Sequence, residues 1–177
     1  GIQDKENDGP FRNEKLKSEN DADIIWKYNM LDLLKIHPHN LSNCSVTCAG
    51  DVLLVGTANG VDPSHLNLPN PDAPSFIALD RNTGRLLWQS NLPGKNVMHG
   101  QWSSPAYGVI GGSPQVIFAG GDGWLYAFDL RDLRTGKTNL LWWFDCNPKQ
   151  SKWMVGGRGG RDHRNRQHHP RPRLAHR

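Results

Sequence analysis

Phe76-Ile77-Ala78-Leu79-Asp80-Arg81-Asn82-Thr83-Gly84-Arg85-Leu86-Leu87-Trp88 is the stretch that decides the fold. Phe76 to Asp80 is apolar and strand-like, Asp80 to Gly84 has turn chemistry, and Arg85 to Gln89 reads as a returning strand. Asp80 can accept hydrogen bonds from the backbone N–H groups ahead of it. Gly84 can take the left-handed conformation that closes such a loop. Strict alternation then puts Leu86, Trp88 and Ser90 on one face and Leu87 and Gln89 on the other.

The pattern returns at Ala127-Phe128-Asp129, which leads through Thr135-Gly136 to Leu140-Leu141-Trp142. This copy has a longer loop carrying Asp132, Leu133 and Arg134, an insertion at a place where added length costs little. A third echo, Asp23 to Tyr28, matches Arg85 to Ser90 around Trp26. Tryptophans 26, 88 and 142 are 62 and 54 residues apart. A β-rich supersecondary unit recurring at that spacing predicts propeller blades.

Ala78-x-Asp80-x-x-Thr83-Gly84-Arg85-x-x-Trp88 resembles the tryptophan-docking motif of pyrroloquinoline-quinone (PQQ)-type propellers, with Arg85 where Lys is common. The resemblance spans roughly residues 22–155. It implies that Trp26, Trp88 and Trp142 each pack onto the motif of a neighbouring blade, and that Ala78 and Ala127 leave room beneath an indole. It gives structural roles in the motif to Asp80, Thr83, Gly84, Asp129, Thr135 and Gly136. Two kinds of protein share the construction: quinoprotein dehydrogenases, and non-enzymatic scaffolds of the bacterial cell envelope. The first kind sandwiches PQQ with calcium between a Trp and a disulfide of adjacent cysteines. The 177 residues hold no such Cys-Cys pair and no c-type haem attachment sequence.

The expected fold is therefore all-β, an incomplete propeller of two four-stranded blades plus the outer strand of a preceding one. The first blade is expected at Ser42–Ala49, Val52–Thr57, Ser75–Asp80 and Arg85–Ser90. The second is expected at Trp102–Ile110, Gln115–Ala119, Trp124–Asp129 and Asn139–Phe144. Met30 to Ile36 has the spacing of a single helical turn before His37-Pro38. Because closed propellers have about 4–8 blades, the chain reads as a piece of a larger protein. Its partners are then the remaining blades or another protein.

Charge divides the chain. Residues 158–177 hold seven Arg and one Asp, a balance of +6, while residues 1–157 hold 14 basic and 16 acidic groups, a balance of −2. Residues 1–21 read as a polar loop, 22–155 as the partial propeller, and 156–177 as a basic, disordered tail with the composition of a shifted reading frame. Arg-Gly tracts such as Gly157 to Arg161 bind phosphate through unspecific charge. No aromatic residue follows Trp153 to stack on bases, so nucleic-acid binding ranks as a distant second alternative.

Propeller ligands meet the rim loops and the mouths of the inner strands. His39 and His99 each stand just before an inner strand, and together with Asn40 and Gln101 they are the candidates for an axial binding face. A metal set of His37, His39, Cys44 and Cys48 lacks the paired short spacings that zinc sites show, and the cysteines read as small buried hydrophobes. No catalytic, cofactor or metal residue is assigned. The resemblance implies a non-catalytic binding or scaffolding segment of a periplasmic or cell-envelope protein. The first alternative is part of a PQQ-dependent dehydrogenase.

Overall fold

The computed structural model describes residues 25–42 and 44–147. The expected N-terminal loop (1–21) and basic tail (156–177) lie outside that range. The described chain forms two four-stranded antiparallel sheets, each a meander of consecutive strands. The first is β1 (Thr47–Ala49), β2 (Val52–Gly56), β3 (Phe76–Asp80) and β4 (Leu86–Ser90). The second is β5 (Ala106–Ile110), β6 (Ser113–Ala119), β7 (Trp124–Asp129) and β8 (Leu140–Asp145). A short helix, α1 (Met30–Leu34), precedes the first sheet, and a second, α2 (Leu130–Arg134), joins β7 to β8. The fold is mostly β, two blades of a propeller.

Alternation builds the junction between the blades. Val52, Leu54, Phe76, Ala78 and Trp88 project from the first sheet into one core with Val116, Phe118, Tyr126 and Phe128 of the second. The residues between them, Leu53, Val55, Ile77 and Leu79, face the other way. There they are covered by Trp26, Tyr28, Met30 and Leu34. The first blade is thus apolar on both faces, as a strand set packed between neighbours must be.

The hairpin turn is built as its sequence implies. The Asp80 carboxylate accepts from the Asn82 and Thr83 N–H groups and the Thr83 hydroxyl at 2.9–3.0 Å. Gly84 sits at φ +65. A side chain there would also collide with Trp26, whose ring lies 2.5 Å from where a Cβ would stand.

The structure corrects five expectations. Leu86 does not share a face with Trp88: Ala78 pairs with Trp88 and Leu79 with Leu86, so Leu87 is the extra residue of a β-bulge. The second blade repeats the bulge, with Ala127 opposite Trp142 and Phe128 opposite Leu140. A bulge inserts one residue and inverts the alternation beyond it.

The loop insertion in the second blade is not slack. It folds as α2, capped by the Asp129 side chain on the Arg131 N–H, and it buries Leu130 and Leu133 in the core between the blades.

The inner strands are shorter than expected, because Cys44 substitutes for ladder backbone. Its sulfur lies 3.1 Å from the Gly56 carbonyl oxygen and 3.3 Å from the Gly56 nitrogen. Before β5, Pro105 has no N–H to offer a ladder.

Finally, the cysteines are not all buried. Cys44 is half-buried, whereas Cys48 and Cys146 are exposed, and all three are free thiols. Residues 25–28, expected within an outer strand, show only a single bridge at Lys27.

Candidate functional site at the meeting of three loops

In a four-stranded meander, the segment before the first strand, the second connection and the exit from the fourth strand all lie at one end. These are the segments of His39, His65 and His99. Their backbones are fixed individually. The His39 N–H donates to the Ala58 carbonyl at 3.2 Å and the His65 N–H to Asp62 at 2.9 Å. The His99 carbonyl accepts from the Val61 N–H at 2.8 Å. Gly60 permits the approach, since a Cβ there would stand 2.4 Å from the His99 carbonyl oxygen.

The three imidazoles converge. His39 and His99 place their Nε2 atoms 2.8 Å apart. Ring centroids of the three lie 4.3–4.8 Å from one another, and each ring offers a nitrogen within 4.8 Å of the others. His39 is buried, whereas His65 and His99 reach solvent. His39 Nδ1 lies 2.8 Å from the Val61 carbonyl oxygen. Only a protonated nitrogen can bond there, so Nδ1 carries the hydrogen and Nε2 keeps its lone pair.

Trp102 walls the cluster. Its ring meets His99 edge-on at 5.1 Å, and its indole N–H donates to the His39 carbonyl at 3.3 Å. Burial, then the proximity of His39 and His65, pushes the His99 pKa below the ordinary 6.5. His99 accordingly favours its neutral form, with a lone pair available, at neutral pH.

Around the cluster the polar groups are structural ties. Gln101 is 3% exposed; its amide donates to the Asn59 carbonyl and accepts from the Gly121 N–H, joining the two blades. Asn59, also buried, accepts from the His37 N–H and donates to the Asn70 carbonyl. Asn40 is exposed, at φ +59. Of the four axial candidates, the structure brings His39 and His99 together, turns Gln101 into framework and leaves Asn40 at the surface.

Sequence reasoning missed His65, which sits in the Pro-rich connection between β2 and β3. The signal was topological: that connection ends where the segments of His39 and His99 begin. Of the set His37, His39, Cys44 and Cys48, only His39 enters the cluster. Among the described residues, His39, His65 and His99 are the group able to hold a metal ion.

Trp26 and Trp88 belong to the two cores that flank the first blade, whereas Trp142 belongs to neither. Trp26 lies over Gly84 and donates its indole N–H to the Arg81 carbonyl at 2.9 Å. Trp88, 3% exposed, stacks on Phe118, meets Phe128 edge-on at 4.9 Å and donates to the Thr138 hydroxyl at 2.9 Å. Trp142, only half-buried, donates to Gln115 of its own blade at 2.7 Å.

Comparison with solved structures finds similarity over part of the chain. BamB from Moraxella catarrhalis aligns at 18% identity and TM-score 0.35, covering 58% of this chain and 22% of its own. A europium-containing methanol dehydrogenase aligns at 23% and 0.36, covering 57% and 15%. Quinohemoprotein alcohol dehydrogenase from Comamonas testosteroni aligns at 24% and 0.42, covering 59% and 17%. Each likeness is partial and concerns the arrangement of strands alone. The described blades thus correspond to less than a quarter of each of those proteins. No family model and no curated protein matches the sequence. Among the described residues, no helix is long and apolar enough to cross a membrane.

Proposed function

We propose that this chain supplies blades to a propeller serving as a non-catalytic binding or scaffolding surface in the cell envelope, and that the histidine-bearing loop end is its working face. One observation supports this above the others: three connections from two blades converge on one polar cluster, over buried amides that tie the blades together. Rigid frameworks presenting loops in this way are where binding concentrates. The remaining blades are the nearest partners. On the second blade, Ile117, Leu125, Ala127 and Trp142 occupy the register that Leu54, Phe76, Ala78 and Trp88 occupy on the first, and the first set of equivalents is covered by a neighbouring blade.

The described residues do not fit a quinone cofactor. The three cysteines are free, and the Trp102 indole is committed to the His39 carbonyl and stands against His99.

The test is site-specific photo-crosslinking in the intact protein, with the reactive group at position 65 or at position 82 in the opposite turn. Adducts to a discrete protein are expected from 65 and not from 82. Identical patterns from both positions would overturn the reading. So would PQQ- and calcium-dependent dye reduction by the intact protein with a primary alcohol.

A further inference from the structure

We propose that His39, His65 and His99 bind one divalent transition-metal ion, with zinc(II) the best match, as a clip between the two blades. Three imidazoles from separate connections converge, which structural packing alone does not require of charged-capable side chains. A tetrahedral ion with nitrogen ligands at about 2.0–2.1 Å sets those nitrogens roughly 3.3 Å apart. The Nε2 atoms of His39 and His99 stand at 2.8 Å, and the set spans no more than 4.8 Å, so changes in separation of up to about 1.5 Å, shared between side chains, bring three nitrogens onto one ion.

The surroundings match the second shell of such sites. A ligating histidine ordinarily donates its other ring N–H to a carbonyl or carboxylate, which fixes the tautomer. His39 does this with Val61. His99 must carry its hydrogen on Nδ1 to present Nε2, which costs no net proton at neutral pH.

His65 arrives on a wired turn. The Asp62 carboxylate accepts from the Ser64 hydroxyl at 2.6 Å and the Asn67 amide at 2.8 Å. His65 itself is held at φ +61, a left-handed conformation uncommon for a residue with a side chain.

Chemistry selects the ion. Three neutral nitrogens suit zinc and its transition-metal neighbours, whereas calcium and magnesium require oxygen ligands. Two of the rings reach solvent, so the ion has an entry path and a fourth position open to water. His39 and His65 belong to connections of the first blade and His99 to the segment entering the second. The ion would therefore resist separation of the blades. The proposal concerns the same loop end as the scaffold reading but stands apart from it. Crosslinking can fail while zinc binds, and zinc can fail while a partner crosslinks.

The test is equilibrium dialysis of the full chain against zinc(II), in a background where His163, His168, His169 and His176 are replaced by Gln. One zinc per chain is expected. His65→Asn, which keeps a residue tolerant of positive φ, and His99→Gln should each weaken binding by about tenfold or more, while His37→Gln leaves it unchanged. Cobalt(II) should give the visible absorption of a tetrahedral site, lost in both variants. Zinc should also raise the melting temperature of the parent and not of His65→Asn, because a ligand that binds only the folded chain stabilises it. No zinc binding by the parent, binding that survives both substitutions, or equal loss in His37→Gln would each overturn the proposal.

Discussion

Trp88 and Trp142 occupy the same place in the same repeat, and they meet different environments. Each stands opposite an alanine one residue before the same bulge. Trp88 is buried between two blades and bonded to Thr138 across the junction, whereas Trp142 is half-buried and bonded to Gln115 within its own blade. The local sequence therefore builds the hairpin, and the neighbour decides how much the indole contributes. A docking motif is half of an interface.

Substitution of the two tryptophans should separate these contributions most strongly. Trp88→Ala is expected to lose about 3–5 kcal/mol, the cost of truncating a buried Trp. Trp142→Ala should lose clearly less. Paired urea or thermal unfolding curves read the difference, and equal losses would break the comparison.

The alanines beneath the indoles give the next effect. Ala78 and Ala127 are both fully buried. Ala78→Leu should cost about 1–3 kcal/mol by overpacking a two-sided junction. Ala127→Leu should cost less, since Trp142 can swing outward. A smaller effect is expected from Thr138→Val, which removes the hydroxyl that receives the Trp88 indole N–H; about 1 kcal/mol is the usual cost of leaving such a donor unpaired.

The two ends of the blades should also titrate in different windows. The Thr83 hydroxyl, ahead of the backbone bonds, holds the Asp80 carboxyl below the ordinary 3.8. The Arg131 side chain does the same for Asp129. A depressed carboxyl pKa stabilises the fold above the unfolded value, and that contribution is lost as pH falls below about 4. His99 is depressed from 6.5, so its unfolded form takes up a proton first. Its contribution makes stability fall as pH drops below about 6.5. Melting temperatures from pH 7.5 to 5 should decline modestly, and His99→Gln should flatten that decline. An unchanged slope would detach the effect from the cluster.

What the sequence made legible was local. Hairpin chemistry at Asp80, Thr83 and Gly84 acts within five residues, so both turns and most outer strands fell within a residue or two of their expected bounds. The bulge at Leu87 was hidden because it is set by pairing across strands rather than by residue type. Leu130 and Leu133 had helical spacing, but nothing local said that a loop insertion would enter a core made by another blade. At the site, His39 and His99 could be found from their places before inner strands. His65 could not be found by spacing along the chain, because it reaches the cluster only when the β2–β3 connection folds back across the end of the sheet. Gln101 looked like a binding residue for the same reason that it serves as a tie: it stands where two blades meet.

The most direct measurement is hydrogen exchange of the indole N–H groups of Trp88 and Trp142, resolved by NMR on the intact chain. Trp88 donates from a position 3% exposed, so its proton should exchange only through separation of the blades. Trp142 donates from a half-buried position and should exchange markedly faster. Equal rates, or a faster Trp88, would contradict the claim that the two blades are docked through this tryptophan.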